Sequence, residues 1–124
     1  MNKKPVALFI EDDSYLSEIY TQHFAGHKIQ TKAVKNFVEA DKKIKRGLPE
    51  VVVVDIALEE KSGLSWIRNF KNNGNTKNIP VVVMTGLGDR QSIQEAIEAG
   101  ACRYFLKSQI TPCELAKKIS ELII

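Results

Sequence analysis

The stretch VVVVDIALEE, residues 51–60, joins four consecutive valines to an acidic side chain, Asp55. A run of β-branched apolar residues of this length predicts a strand that is buried on both faces, as in a parallel sheet covered by helices. Asp commonly opens the loop after a buried strand, so Asp55 can be read simply as the residue at which the chain leaves the core. Whether it does more depends on what the other predicted strands carry at their ends.

Length and composition indicate a single domain over residues 1–124, long enough to bury roughly two thirds of the surface of the unfolded chain. Cys102 and Cys113 lack CxxC spacing and a nearby pair of histidines, so we expect reduced thiols in a cytoplasmic protein. The first apolar stretch, PVALFI, is too short for a signal peptide or a membrane span, and we expect no membrane association.

The formal net charge is +3, from 18 Lys and Arg against 15 Asp and Glu. This basic balance raises nucleic acid as a possible partner. The basic residues are spread over several predicted helix ends and exposed faces, where solvated lysines are the usual explanation. We therefore do not expect direct binding of nucleic acid.

Strands and helices alternate along the chain. Five apolar runs have strand length: Val6–Ile10, Ile29–Val34, Val51–Val54, Val81–Met84 and Arg103–Leu106. The segments between and after them show helical periodicity: residues 14–24, 36–47, 63–74, 91–100 and 111–124. This order predicts an α/β domain with a doubly wound parallel sheet and helices on both faces.

Helix boundaries have recognisable signals. Asn36 with Glu39, and Thr111 with Glu114, have the spacing of a capping box, and Gly100 marks a helix end. Two apolar stripes predict core faces: Leu16, Ile19, Tyr20 and Phe24 in the first helix, and Ile93, Ala96 and Ile97 in the fourth.

In open parallel sheets, ligands bind outside the carboxyl ends of the strands, and one common five-stranded order is 2-1-3-4-5. In that order strands one and three are neighbours, so Glu11, Asp12 and Asp13, which follow the first strand, would lie beside Asp55. Crowded carboxylates are stable together when a cation lies among them or when some are protonated. Mg²⁺ suits such a site because it prefers oxygen ligands and keeps several waters. The alternative is that Asp12 or Asp13 caps the first helix.

Two further strand ends carry polar side chains. Thr85 ends the fourth strand and is followed by Gly86, while Lys107 ends the fifth. A metal site, a carboxylate, a hydroxyl and an ammonium at neighbouring strand ends can together hold a phosphoryl group, because metal and lysine neutralise its oxygens. Each of these residues alone is common at a strand end, and only their combination indicates a site for a phosphoryl group.

Along essentially all of its length, the chain resembles the receiver domains of two-component response regulators. The family's acidic pair matches Glu11 and Asp12, its phosphoacceptor matches Asp55, its Thr or Ser matches Thr85 and its Lys matches Lys107. Gly63 stands where the family has a loop glycine.

The resemblance implies a function and its partners. A sensor histidine kinase or a histidine phosphotransfer protein would supply a phosphoryl group to Asp55 with Mg²⁺ bound. The metal ligands would be Glu11, Asp12, Asp55 and the backbone carbonyl of Ala57. Thr85 would then move inward and Tyr104 would fill the space, changing the face made by helix 4, strand 5 and helix 5, through which the domain could signal or dimerise. Tyr104 can also be read as an ordinary half-buried aromatic.

Two departures from the family pattern concern the loops at this edge. Glu59 stands where many members have proline, and Ser108 follows Lys107 where a cis proline is common, so a trans bond is expected there. These departures are the reason to keep an alternative: a receiver-like scaffold that binds proteins without phosphorylation.

Other classes with this fold fit less well. A haloacid-dehalogenase-like phosphatase would need a second Asp at the position of Ala57, and the acidic EDD loop, residues 11–13, would repel the phosphate of a flavin. We therefore expect a signalling domain rather than an enzyme with its own substrate. The output is open, since the domain could act alone on a downstream protein or be joined to an effector domain outside this chain.

Overall fold

The architecture is taken from a computed structural model, which describes residues 4–56, 60–86 and 88–123. Within these residues five strands alternate with five helices. The strands are β1 (Val6–Ile10), β2 (Gln30–Val34), β3 (Val51–Asp55), β4 (Val81–Thr85) and β5 (Arg103–Leu106). The helices are α1 (Ser14–Ala25), α2 (Phe37–Arg46), α3 (Glu60–Asn72), α4 (Arg90–Ala99) and α5 (Pro112–Ile123).

All strand pairs are parallel and the order across the sheet is β2-β1-β3-β4-β5. The predicted doubly wound fold is thereby confirmed, including the placement of β1 beside β3. In the register, Ile10 pairs with Val54 and Asp55 with Met84, so the strands finish at one edge. The polar residues that follow them are therefore brought to the same side of the domain.

Alternation along the strands divides the core into two layers. Val52 and Val54 face one layer, which is completed by α2, α3 and α4, whereas Val51 and Val53 face the other, completed by α1 and α5. All five residues of β3 and all five of β4 are buried. The unbroken valine runs are explained by this burial on both faces.

Three predicted helix caps are present. Asn36 accepts a hydrogen bond from the Glu39 amide at 2.9 Å. Thr111 and Glu114 bond to each other's amides at 3.1 and 3.0 Å, which completes a capping box. Asp13 caps α1 by accepting from the amides of Tyr15 and Leu16, so the capping role predicted for Asp12 or Asp13 belongs to Asp13.

The predicted core stripe of α4 is wrong at one position. Ala96 is fully buried, but the Ile97 side chain is 58% exposed. The buried line runs instead through Ser92, Ala96 and Ala99. Ser92 tolerates burial because its hydroxyl donates a hydrogen bond to Asp89 at 2.8 Å. The spacing of apolar residues alone therefore predicted the wrong buried face for α4.

A second difference concerns the start of α3. Gly63 opens the predicted helix 63–74 and stands where the family has a loop glycine, but α3 begins three residues earlier, so Gly63 lies inside it. A Cβ at this position would approach the Ile56 side chain to 3.3 Å. Gly63 therefore allows the start of α3 to pack closely on the end of β3.

Cys102 and Cys113 are free cysteines, and both are exposed. Among the described helices, none combines the length and the apolar character needed to cross a membrane.

Gly100, which ends α4, gives a stability prediction. Its φ of 120° is unfavourable for residues with a side chain, and a Cβ would lie 2.6 Å from Lys71 Cγ. We expect Gly100→Ala to lower the free energy of unfolding by about 2 kcal/mol, measured by urea denaturation. Gly47 is the matched control, because it also ends a helix but has a φ of 174° and no atom within 4 Å of a Cβ. Equal losses in Gly47→Ala and Gly100→Ala would contradict this explanation.

Candidate functional site

Side-chain alternation brings three of the predicted residues to the same side of the sheet edge. Asp55 follows Val53 in the pleat, and Val53 faces the layer of α1 and α5. Glu11 and Lys107 continue β1 and β5 by one residue, with backbone hydrogen bonds to Val34 and Thr85 at 3.0 and 2.9 Å. With the same alternation, their side chains leave the sheet on the face to which Asp55 points.

The three side chains form one charged cluster. Lys107 Nζ lies 2.5 Å from Asp55 Oδ2 and 3.4 Å from Glu11 Oε2. Both carboxylates are buried, at 3% exposure for Asp55 and 4% for Glu11, whereas Lys107 is half-buried. The ammonium therefore supplies the positive charge that two buried carboxylates require.

The two carboxyl groups also act on each other. The pKa of Glu11 is raised from 4.5 to about 7, mainly by burial and then by the hydrogen bond and negative charge of Asp55, whereas Lys107 lowers it by less. Burial lowers the pKa of Lys107, but its bond to Asp55 and the charges of Asp55 and Glu11 outweigh this effect, so the pKa is raised overall. The site thus holds more negative charge than its single lysine neutralises.

Tyr20 was predicted only as a core residue, and the structure places its phenol near this cluster. Burial raises the pKa of Tyr20. The positive charge of Lys107 lowers it, and the negative charges of Glu11 and Asp55 raise it. The Tyr20 ring stacks on the Phe9 ring, with 5.0 Å between the ring centroids. Helical spacing predicts a core position of this kind but does not report how close the phenol lies to the site.

The structure brings together two of the three predicted metal-binding carboxylates, Glu11 and Asp55. Asp12 is exposed, and no three acidic, His or Cys side chains in residues 4–56, 60–86 and 88–123 form a set that could hold a metal ion. Ala57, whose carbonyl was predicted as a further ligand, lies outside the described residues, as does Glu59. The four-ligand arrangement therefore stays a prediction.

Thr85 and Tyr104 lie on the other face of the sheet edge. Thr85 follows Val83 in the pleat, and Tyr104 pairs with Val83 in the register. Thr85 is fully buried, and Tyr104 is half-buried against the layer of α2, α3 and α4. A coupled movement of the two side chains would require them to lie on the same face of the sheet, as they do.

Ser108 does not prevent Lys107 from reaching the site. The described residues include no cis peptide bond, so the predicted trans bond after Lys107 is confirmed. Lys107 Nζ nevertheless contacts both carboxylates.

Comparison with known proteins identifies the family. The sequence-family model of the response regulator receiver domain matches residues 7–120. The chain belongs to this family. This receiver domain is therefore a signalling domain of two-component systems, as the strand-end residues predicted.

A curated relative of the receiver domain is the transcriptional regulatory protein RstA of Escherichia coli (strain K12). The two are 30% identical over 101 residues, which are 82% of this chain and 41% of RstA. The chain thus spans less than half of RstA.

Solved structures share the fold. A response regulator from Thermotoga maritima has a TM-score of 0.86 and 21% identity, covering 98% of both chains. The response regulator Rcp1, solved in a Mn²⁺-bound form, has a TM-score of 0.78 and 20% identity, covering 95% of this chain and 91% of its own.

Proposed function

We propose that this receiver domain accepts a phosphoryl group on Asp55 from a phosphohistidine and signals through a change in its surface. One observation carries the proposal: a buried carboxylate at the end of the central strand is held 2.5 Å from Lys107 Nζ and beside a second buried carboxylate, Glu11. The direct test is phosphoryl transfer to the wild type and to Asp55→Asn.

The residues have separate roles in the transfer. An oxygen of Asp55 forms a bond to phosphorus while the bond from phosphorus to the donor nitrogen breaks, and the donor imidazole leaves with that electron pair. Lys107 already contacts Asp55, so it can follow the negative charge onto the phosphoryl oxygens. Thr85, at the adjacent strand end, would bond to a phosphoryl oxygen after the transfer.

The donor set at this edge fits Mg²⁺. Two buried carboxylates meet, and the raised pKa of Glu11 reports unfavourable negative charge that a cation would relieve. Mg²⁺ needs only one or two carboxylates and keeps several waters. We propose that Glu11 and Asp55 bind it directly, with Asp12 and the carbonyl of Ala57 as further ligands. When bound, the metal would neutralise charge on the phosphoryl oxygens.

Thr85 and Tyr104 are proposed as the switch because they share one face of the sheet edge. A hydroxyl that bonds only to the phosphorylated state favours the conformation in which it can do so. The surface that would change is formed by α4, β5 and α5. The exposed side chain of Ile97 on α4 supports a role for this surface in binding a downstream protein or a second copy of the chain.

This switch predicts that Thr85→Ala separates phosphorylation from the surface response. Because Asp55 and Lys107 are unchanged, we expect the extent of phosphorylation to stay within about twofold of wild type, a difference of ~0.4 kcal/mol. Amide NMR shifts of Ile93, Ile97 and Leu115 on phosphorylation should be largely lost. Thr85→Ser, which keeps the hydroxyl, is the control. Unchanged shifts in Thr85→Ala would show that the coupling does not pass through this hydroxyl.

The proposed setting is a cytoplasmic phosphorelay. A sensor histidine kinase or a histidine phosphotransfer protein would be the donor, and all of residues 1–124 would act as one receiver. RstA is named as a transcriptional regulator, so an effector domain outside this chain is one proposed route of output. Docking on a separate downstream protein is the other.

A further inference from the structure

The loop between α3 and β4 carries the neighbouring residues Asn73 and Gly74, at the edge of the sheet opposite to the candidate site. Both residues are exposed. The backbone nitrogen of the residue after an asparagine can attack the side-chain amide, and a glycine leaves that nitrogen accessible because it has no Cβ. The proposed phosphoryl transfer uses neither residue.

The nitrogen that would attack, that of Gly74, is not held by the fold. A helix continued beyond α3 would bond the Gly74 amide to the Phe70 carbonyl. That carbonyl instead accepts a hydrogen bond from the Thr76 hydroxyl at 2.5 Å. Within the described part of the chain, the Gly74 N–H donates no hydrogen bond of normal geometry. The nitrogen is therefore available to lose its proton and to form a new bond.

The side-chain amide of Asn73 is in surroundings that favour the attack. Its Oδ1 accepts a hydrogen bond from the Asn75 amide at 2.9 Å. Negative charge develops on this oxygen when a nucleophile adds to Cγ, so a donor already bonded to it stabilises the intermediate. Lys45 and Arg46 line the same cavity of about 410 Å³ as Asn73, and their positive charges favour an anion there.

We propose that Asn73 is a site of spontaneous deamidation in the folded domain, with water as the co-reactant. The Gly74 nitrogen gives its proton to solvent and bonds to Asn73 Cγ. The bond from Cγ to Nδ2 breaks, and ammonia leaves with that electron pair and a proton from solvent. Water then opens the cyclic succinimide. Addition of water at Cγ gives aspartate, and addition at the backbone carbonyl carbon gives isoaspartate.

Isoaspartate changes the loop more than aspartate does. The Asn73 backbone carbonyl accepts hydrogen bonds from the amides of Thr76 and Lys77, at 3.1 and 2.9 Å. In isoaspartate this carbonyl becomes a free carboxylate and the chain gains a methylene, so the turn cannot keep its geometry. Deamidation would thus distinguish aged from newly made copies of the protein by a local change far from Asp55.

Ageing of the complete chain in mildly alkaline buffer tests the modification. Trypsin cleaves after Lys71 and Lys77, so Asn73 falls within the peptide of residues 72–77. Mass spectrometry of this peptide should show replacement of the Asn73 amide by a carboxyl group. A protein isoaspartate methyltransferase should label the aged protein. Asn78, exposed in the same loop but followed by the β-branched Ile79, is the internal control and should stay intact.

Gly74→Ala tests the role of the glycine. The φ of Gly74 lies outside the left-handed region and no atom lies within 4 Å of an added Cβ, so the fold accommodates the substitution. We expect deamidation of Asn73 to be slowed at least tenfold, a difference of ~1.4 kcal/mol, because the Cβ hinders the attack. The melting temperature should not fall. Gly47→Ala, which also has open space for a Cβ, is the control and should age like wild type.

Two results would contradict deamidation promoted by this loop. One is an equal rate in wild type and Gly74→Ala. The other is a rate in the folded wild type that is more than about tenfold below that of the free peptide of residues 72–77, acetylated and amidated, because the loop would then protect Asn73. None of these measurements depends on phosphorylation, so their outcome is separate from that of the proposed phosphoryl transfer.

Discussion

Asp55→Asn is expected to abolish phosphorylation of this domain. Wild-type protein mixed with a small phosphodonor such as acetyl phosphate and Mg²⁺ should gain the mass of one phosphoryl group. The adduct should be removed by hydroxylamine, as for an acyl phosphate. The variant should gain nothing, because an amide is a poor nucleophile, and Asp55 is the buried carboxylate that Lys107 contacts most closely, at 2.5 Å against 3.4 Å for Glu11. Intact-protein mass spectrometry measures both results.

The control for this prediction is Asp41→Asn on α2. Asp41 accepts a hydrogen bond from Trp66 Nε1 at 2.8 Å, and an asparagine oxygen can accept the same bond. This variant should be phosphorylated like wild type. If the wild type itself acquires no phosphoryl group from small or protein donors, the alternative of a phosphorylation-independent scaffold is favoured. Labelling of Asp55→Asn at the wild-type level would place the acceptor elsewhere.

Lys107→Met is expected to cause a large loss of stability in metal-free protein near pH 8. The substitution keeps much of the side-chain volume but leaves Glu11 and Asp55 buried without their cation. Removing one partner of such a group typically costs about 3 kcal/mol. We expect a loss of that order in the free energy of unfolding, measured by urea denaturation. Lys118→Met, at an exposed position on α5, is the control and should stay within about 0.5 kcal/mol of wild type.

The pH dependence of this loss follows from the pKa shifts. The raised pKa of Lys107 means that its ion pairs stabilise the fold below 10.5 and are lost as pH rises through the folded-state value. The pKa of Glu11 is about 7 in the fold and 4.5 in the reference state, so the fold binds more protons and loses stability as pH rises from 4.5 to 7. The cost of Lys107→Met should therefore be smaller near pH 5 than near pH 8.

Magnesium provides a separate check on the same variant. If Glu11 and Asp55 bind Mg²⁺, adding the ion near pH 8 should recover part of the stability lost in Lys107→Met, since the metal replaces the missing positive charge. A loss that is identical at both pH values and insensitive to Mg²⁺ would mean that Lys107 contributes through packing rather than through charge.

The sequence alone predicted the fold, which is confirmed, and the strand ends at which the candidate site lies. Burial on both faces requires unbroken apolar strands, and parallel strands all finish at one edge, so the residues after each strand must meet there. This reasoning located Glu11, Asp55, Thr85 and Lys107 without coordinates. The capping residues Asn36 and Thr111 were predictable for a similar reason, because a cap depends on contacts within a few residues of the same chain.

Tertiary packing decided the features that depend on side-chain direction and on distant neighbours. Ile97 faces solvent because α4 approaches the sheet through the small residues Ala96 and Ala99, which the apolar stripe could not reveal. Asp12 is exposed whereas Glu11 is buried, because consecutive residues leave a strand end in opposite directions. Ser17 on α1 is likewise buried although it is polar, since burial is a property of the assembled layers and not of local sequence.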